Sequence, residues 1–274
     1  MSIALLTRYG LTTGLAAPPG PFSPSDIAGL RLWLDADDAS TITDTAGAVS
    51  AWTSKDANAR EFTQAIGSLQ PTTGANTLNS RNVIDFAGDY LLGTPDKSVW
   101  GFMHTGAKHA VFAVARFDGA NSRVALLSNT GAAGSVGFGI SYDDRSSASR
   151  SDVLQHIVNN ALTPRAVINT SGNDFMPGGA WRIIRVTADP GNATAAQRSS
   201  MRVNAGTAVE NNTQTGTPAS GNATHDLAVG AAADGGAEVF TGRIAEVLVY
   251  ERDMSAAEIE DVEAYLAEKW GITL

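Results

Sequence analysis

Residues 244–271 read IAEVLVYERDMSAAEIEDVEAYLAEKWG, and this stretch decides the fold. Ile244–Tyr250 is apolar at nearly every position, the pattern of a strand buried on both faces. The run breaks at Glu251-Arg252-Asp253, and Ser255-Ala256-Ala257-Glu258 then opens a helix as a capping box. In such a box the serine oxygen accepts from the amide three residues on, and the glutamate reaches back to the cap amide. Ile259, Val262, Leu266 and Trp270 follow at helical spacing, Lys269 sits near the C-terminal end, and Gly271 takes the C′ position. The spacing predicts one helix over about 256–270, packed by its apolar stripe on whatever precedes it.

Working back from that helix, the chain from Ile27 is a series of short apolar segments divided by Gly, Asn, Asp and Ser. Strands are predicted at Leu30–Leu34, Val83–Phe86, Tyr90–Leu92, Ala110–Phe117, Val124–Ser128 and Val136–Tyr142. Others are predicted at Val153–Val158, Ala166–Asn169, Trp181–Thr187, Met201–Asn204, Leu227–Gly230 and Ile244–Tyr250. About a dozen strands with no helix between them argue for two packed antiparallel sheets. Residues 1–24 read differently. Pro18, Pro19, Pro21 and Pro24 remove amide donors and fix φ, so an extended arm is expected there, ahead of one domain over 25–274. Ile3, Leu5, Leu6, Tyr9 and Leu11 make the arm apolar enough to dock on a partner.

Composition narrows the function classes. The 274 residues are 43% hydrophobic and 17% charged, and the 28 glycines favour a fold with many tight turns. A formal net charge of −9 opposes nonspecific binding to nucleic acid or anionic membrane. There is no cysteine, hence no disulfide framework and no thiolate metal site. The opening MSIALLTRYG is too short in its apolar run for an export signal, and Arg8 interrupts it.

Three stretches carry a family resemblance. IAGLRLWLDADDASTI with AVSAWTSKDANAREFTQ, then VIDFAGDYLL, then MRVNAGTAVE with LAVGAAADGGAEVFTGRIAEVLVY and the helix resemble laminin G-like domains of the concanavalin A-like superfamily, of the type found in bacterial and phage proteins. The order and spacing match from about Ile27 to the end. The resemblance implies an all-β, two-sheet antiparallel jelly-roll sandwich with an extended N-terminal arm and one C-terminal helix. It is not specific to a function, because such sandwiches host lectins, glycan-cleaving enzymes and structural modules alike.

Function must therefore be argued from individual residues. Laminarinase-type relatives of the fold carry Glu-x-Asp-x-x-Glu on one strand. Glu246 and Glu251 keep the outer spacing here, but Leu248 stands where the Asp would be. No Gly-x-Ser-x-Gly elbow occurs, and His104, His109, His156 and His225 show no metal-ligand spacing, so no catalytic residue is expected and the chain is read as not an enzyme. Calcium is the one cofactor with a motive, at Asp35, Asp37 and Asp38, although Asx-turns explain those residues as well. Trp33, Trp52, Trp181 and Trp270 fall in strand or helix patterns and are expected in the core. Trp100, between strands, is the candidate for an exposed glycan platform or a cap on the sandwich edge.

The expected function is that of a non-enzymatic structural protein of a bacteriophage-like particle (capsid decoration, fibre or tail-associated), made in the host cytoplasm and anchored by its arm. Its expected partners are other virion proteins or further copies of itself, with no nucleic acid and no membrane. The alternatives are a carbohydrate-binding lectin module for attachment to host-surface polysaccharide and, third, a glycan hydrolase.

Overall fold

The computed structural model describes residues 21–93, 97–118, 122–131, 135–143, 145, 153–160, 165–169, 179–210 and 217–274. The apolar arm residues Ile3, Leu5, Leu6, Tyr9 and Leu11 lie outside the described residues. Among the described residues, seventeen strands precede a single α-helix, α1 (Ala256–Trp270). The first six are β1 (Leu30–Asp35), β2 (Ile42–Thr45), β3 (Ala48–Thr53), β4 (Glu61–Thr63), β5 (Thr72–Leu78) and β6 (Arg81–Asp89). Then come β7 (Leu91–Gly93), β8 (His109–Phe117), β9 (Arg123–Ser128), β10 (Val136–Asp143), β11 (Val153–Asn160) and β12 (Arg165–Asn169). The last five are β13 (Trp181–Ala188), β14 (Ser199–Val203), β15 (Val209–Glu210), β16 (Ala228–Val229) and β17 (Phe240–Tyr250).

All pairings are antiparallel and they build two layers. In the first, β17 pairs along its length with β8 on one side. On its other side β6 takes the Phe240–Ile244 half and β1 the Glu246–Tyr250 half. β13, β14 and β15 continue beyond β8, and β5 flanks β6. The second layer runs β2-β3-β4-β7-β16-β9-β10-β11-β12. Among the described residues a single pairing, Ala48 with Thr72, links the layers at one corner. The architecture is the jelly-roll-like sandwich that the sequence implied.

Between the layers lies the main core, where Phe117 meets Phe240 at 5.0 Å and Tyr142 at 5.1 Å. A second, smaller core lies on the outer face of the first layer, under α1: Phe112, Leu248 and Tyr250 receive Val262, Leu266 and Trp270. From Ile244 to Tyr250, β17 is apolar at every position but Glu246 because each of its faces belongs to one of these cores. α1 begins and ends as its sequence dictates. Ser255 Oγ accepts from Glu258 N at 3.3 Å, Glu258 accepts from Ser255 N at 2.8 Å, and Gly271 closes the helix with φ +66°.

Two readings of the sequence change. The packed chain begins before residue 25: Pro24 is buried in a 3-10 turn (Pro24–Asp26) capped by Ser23 and Asp26, and its carbonyl accepts from Tyr250 Oη at 3.0 Å. Proline at the first position of a turn loses no hydrogen bond there, so proline density alone does not mark an arm. Strands β2 to β5 and β15 were not predicted, because they are short or half-exposed and rich in Thr, Ser and Asn.

Candidate functional site

Of the residues singled out from sequence, Glu246 and the aspartates Asp35, Asp37 and Asp38 gather in one charge network near a groove. Glu246, on the helix-facing side of β17, is 0% exposed. Four donors converge on its carboxylate: Trp33 Nε1 at 2.7 Å and Tyr265 Oη at 3.0 Å on one oxygen, Lys269 Nζ at 2.9 Å and Trp270 Nε1 at 2.7 Å on the other. Burial pushes the Glu246 carboxyl above the usual carboxylate range, Lys269 pulls it back and Asp35 adds to the rise. Burial likewise raises the Tyr265 phenol far above its ordinary value, helped by the Glu246 charge. Glu246 therefore cannot meet a substrate: it is the socket into which α1 plugs. Glu251, its sequence partner, lies on the surface against Arg31 at 2.9 Å.

The aspartates proposed for calcium are engaged by cations of the protein. Asp35 holds Lys269 at 2.7 Å and Lys55 at 2.9 Å, Asp37 holds Arg81 at 2.5 Å, and Asp38 holds Lys55 at 2.9 Å. Among the described residues no three acidic or histidine side chains converge where a metal ion could sit. The residues present do not fit calcium, since the negative charge that would bind it is already neutralised.

Above this network runs a groove of about 550 Å³ along the outer side of α1. Phe22 and Tyr265 form an aromatic wall, their rings 5.9 Å apart and tilted by 59°. Arg81 and Lys269 line the groove as cations whose positions are set from below, Arg81 by Asp37 and by the Lys269 carbonyl at 2.9 Å, Lys269 by Asp35 and Glu246. Asp261 and Glu268 supply two exposed carboxylates. Lys269 Nζ spends its three N–H groups on Asp35, Glu246 and Tyr265, so the aromatic faces can take the C–H surface of a polyhydroxylated ligand while the Arg81 guanidinium and the two free carboxylates take its hydroxyls.

Trp100 corrects the expected platform. It is 3% exposed, wedged between Phe62 at 6.4 Å and Phe102 at 6.2 Å, with the Arg60 guanidinium 5.6 Å above its ring. A loop tryptophan folded inward because the open end of the main core needed a large apolar cap. Trp52 and Trp270 are in the core as expected, while Trp33 and Trp181 are only partly buried. Sequence reading missed Phe22, Arg81 and Tyr265. The signal for the helix half was present, since Asp261, Ala264, Tyr265 and Glu268 form a second stripe at helical spacing beside the buried one.

Comparisons with known proteins bear on this picture. A family model described as the concanavalin A-like lectin/glucanases superfamily matches residues 115–260. No curated protein sequence matches the chain. Among solved structures, the Trypanosoma rangeli sialidase is similar at a TM-score of 0.53 with 13% identity, over 89% of this chain and 33% of that one. The binding domain of botulinum neurotoxin DC in complex with SialylT is similar at 0.49 with 12% identity, over 89% and 52%. The chain spans about a quarter to a third of the solved sialidases it matches, the Streptococcus pneumoniae NanB sialidase included at 26%. The sialidase likeness corrects the expectation of a chain that is not an enzyme: sialidases carry this fold, so the fold gives no ground for excluding catalysis.

Proposed function

This chain belongs to the concanavalin A-like lectin/glucanases superfamily, and we propose that it is a carbohydrate-binding module whose glycan lies in the groove over α1. The observation that carries this reading is the groove itself, with the Phe22–Tyr265 wall flanked by two pre-positioned cations and two free carboxylates. The family description adds weight, since lectins and glucanases both handle glycans. Holding Tyr265 and Lys269 on Glu246 before any ligand arrives lowers the ordering cost of binding.

Binding of the full chain to an immobilised glycan panel tests the proposal. Phe22→Ala should weaken any observed binding by about tenfold, the worth of one aromatic contact. Glu268→Gln should weaken it less and leave the fold intact. A panel with no binder, or binding indifferent to both substitutions, would sink the groove as the site.

The expected role in a bacteriophage-like particle, with virion partners and arm anchorage, stands beside this as a proposal. Its proposed anchor lies in residues 1–20, and its test is co-purification of the chain with particles in the full-length form but not after removal of residues 1–20. Cutting there rather than after residue 24 spares the capped turn at Pro24.

A further inference from the structure

A second cleft, of about 220 Å³, opens where the ends of β13 and β14 meet the chain entering α1. Lys108, Thr187, Asp189, Asn192, Ser200 and Asp253 line it. Thr187 pairs with Ser200 across the two strands, and two residues further along Arg185 pairs with Arg202 on the same face. Arg185 is 7% exposed and stands directly behind the cleft wall, its Nη2 donating to Ser200 Oγ at 3.1 Å. Its Nε has no hydrogen-bond partner.

The carboxylate hydrogen-bonded to this pair of arginines, Glu263, is already spent on Arg202, which the charge of Glu260 also supports. Glu263 accepts from Arg202 Nε at 2.7 Å and again from Arg202 Nη2. Glu263 and Glu260 thus serve Arg202 first, and the buried Arg185 has no hydrogen-bonded anion of its own. Burial, together with the neighbouring Arg202, pulls the Arg185 pKa down to about 10, against partial support from Glu263. A buried cation without its own anion is costly, and such cost marks a place where a negative group belongs.

Ser200 carries this charge to the cleft. Because Arg185 can only donate, Ser200 Oγ is the acceptor of that bond and its own hydrogen points elsewhere. No acceptor takes it among the described residues. A hydroxyl polarised by a cation is a strong donor, and its best partner is an anionic oxygen. On the rim, Lys108 Nζ touches Asp253 at 2.6 Å and Asp189 more loosely at 3.8 Å, but the Asp253 side chain is 71% exposed and that of Lys108 46%. Exposed ion pairs of this kind are worth little and yield readily to a ligand oxygen.

We propose that this cleft binds an oxyanion group (a carboxylate, sulfate or phosphate on a small ligand) through the Ser200 hydroxyl and the Lys108 ammonium, with Arg185 behind them supplying the uncompensated charge. The site is separate from the groove over α1 and does not depend on what the groove binds.

The test is a titration of the full chain with sodium glucuronate and, separately, sodium sulfate at constant ionic strength, following the Arg185 Nε–H resonance by NMR with glucose as the neutral control. A saturable shift is expected with an oxyanion and none with glucose. Ser200→Ala and Arg185→Gln should each weaken binding by about tenfold, as loss of a charge-assisted hydrogen bond does. A preference for glucuronate identifies a sugar acid as the ligand class, and an equal response identifies a general oxyanion site. Absence of a saturable shift with either anion overturns the proposal, as does binding undiminished in the variants. Should Arg185→Gln fail to fold, Ser200→Ala and the parent resonance still decide the matter.

Discussion

Both faces of β17 are buried, and the two burials are chemically unlike. Toward the second layer, Ile244, Val247 and Val249 enter a core whose members are held by shape and volume. Toward α1, Ala245, Leu248 and Tyr250 surround a carboxylate with four directional donors. Apolar surfaces tolerate repacking when volume is kept, but a carboxylate with two indoles, a phenol and an ammonium admits one seating. The sheet-to-sheet contact therefore supplies bulk stability, while the sheet-to-helix contact also fixes the rotation of α1, and with it the groove.

The sharpest way to break this comparison is Glu246→Ala. It should cost about 3–5 kcal/mol in urea unfolding, because Lys269 and two indole N–H groups lose a buried partner. Glu246→Gln, which keeps an acceptor, should cost less. A Glu246→Ala penalty no greater than that of Val247→Ala would show that the socket is not directional.

Leu266→Ala should cost about 2–5 kcal/mol, as truncation of a fully buried leucine does. Parental stability in that variant would mean that α1 is not packed as described.

Acid should attack the main core selectively. His109 and His156 sit at its open end beside Phe138, and burial lowers their pKa values to about 4 and about 3. Histidines that charge more readily when unfolded make the unfolded chain bind more protons, so stability falls as pH drops from about 6.5 toward those values. The slope should approach about 1.4 kcal/mol per pH unit for each histidine. Urea midpoints measured at intervals from pH 7 to pH 5 check this, and a flat profile would show that the two imidazoles are not held neutral.

The smallest effect belongs to the helix cap. Ser255→Ala should cost about 1 kcal/mol, with a thermal shift to match, and leave the groove in place.

Legibility followed the range of the interactions. The helix was read to within a residue, because its cap, stripe and C′ glycine all lie within 17 positions, Ser255 to Gly271. The central strands β8 and β17 were legible because burial on two faces leaves a nearly continuous apolar record, and β10 because Val136, Phe138, Ile140 and Tyr142 alternate with Gly and Ser. The edge strands were not, since Ile42–Thr45 and Thr72–Leu78 hold their place mainly through backbone hydrogen bonds that any side chain permits. Glu246 drew notice only through its spacing to Glu251, a motif that Leu248 breaks, and nothing in the sequence marked it as the anchor of α1.

The sequence by itself determined the element types, the two-sheet sandwich and the helix that closes it, because period and capping are local properties of a chain. Only the tertiary structure decided which charges meet. Phe22, Asp35, Arg81, Glu246 and Tyr265 come from widely separated segments, and Arg185 reaches Glu263 and Ser200 only through sheet register and helix docking. Charge–charge and aromatic contacts act across a few ångströms of space, whatever the distance along the chain, so no pattern in the sequence records them. Trp100 shows the same divide: its loop position was legible, but its burial depended on a space that exists only once two sheets have closed.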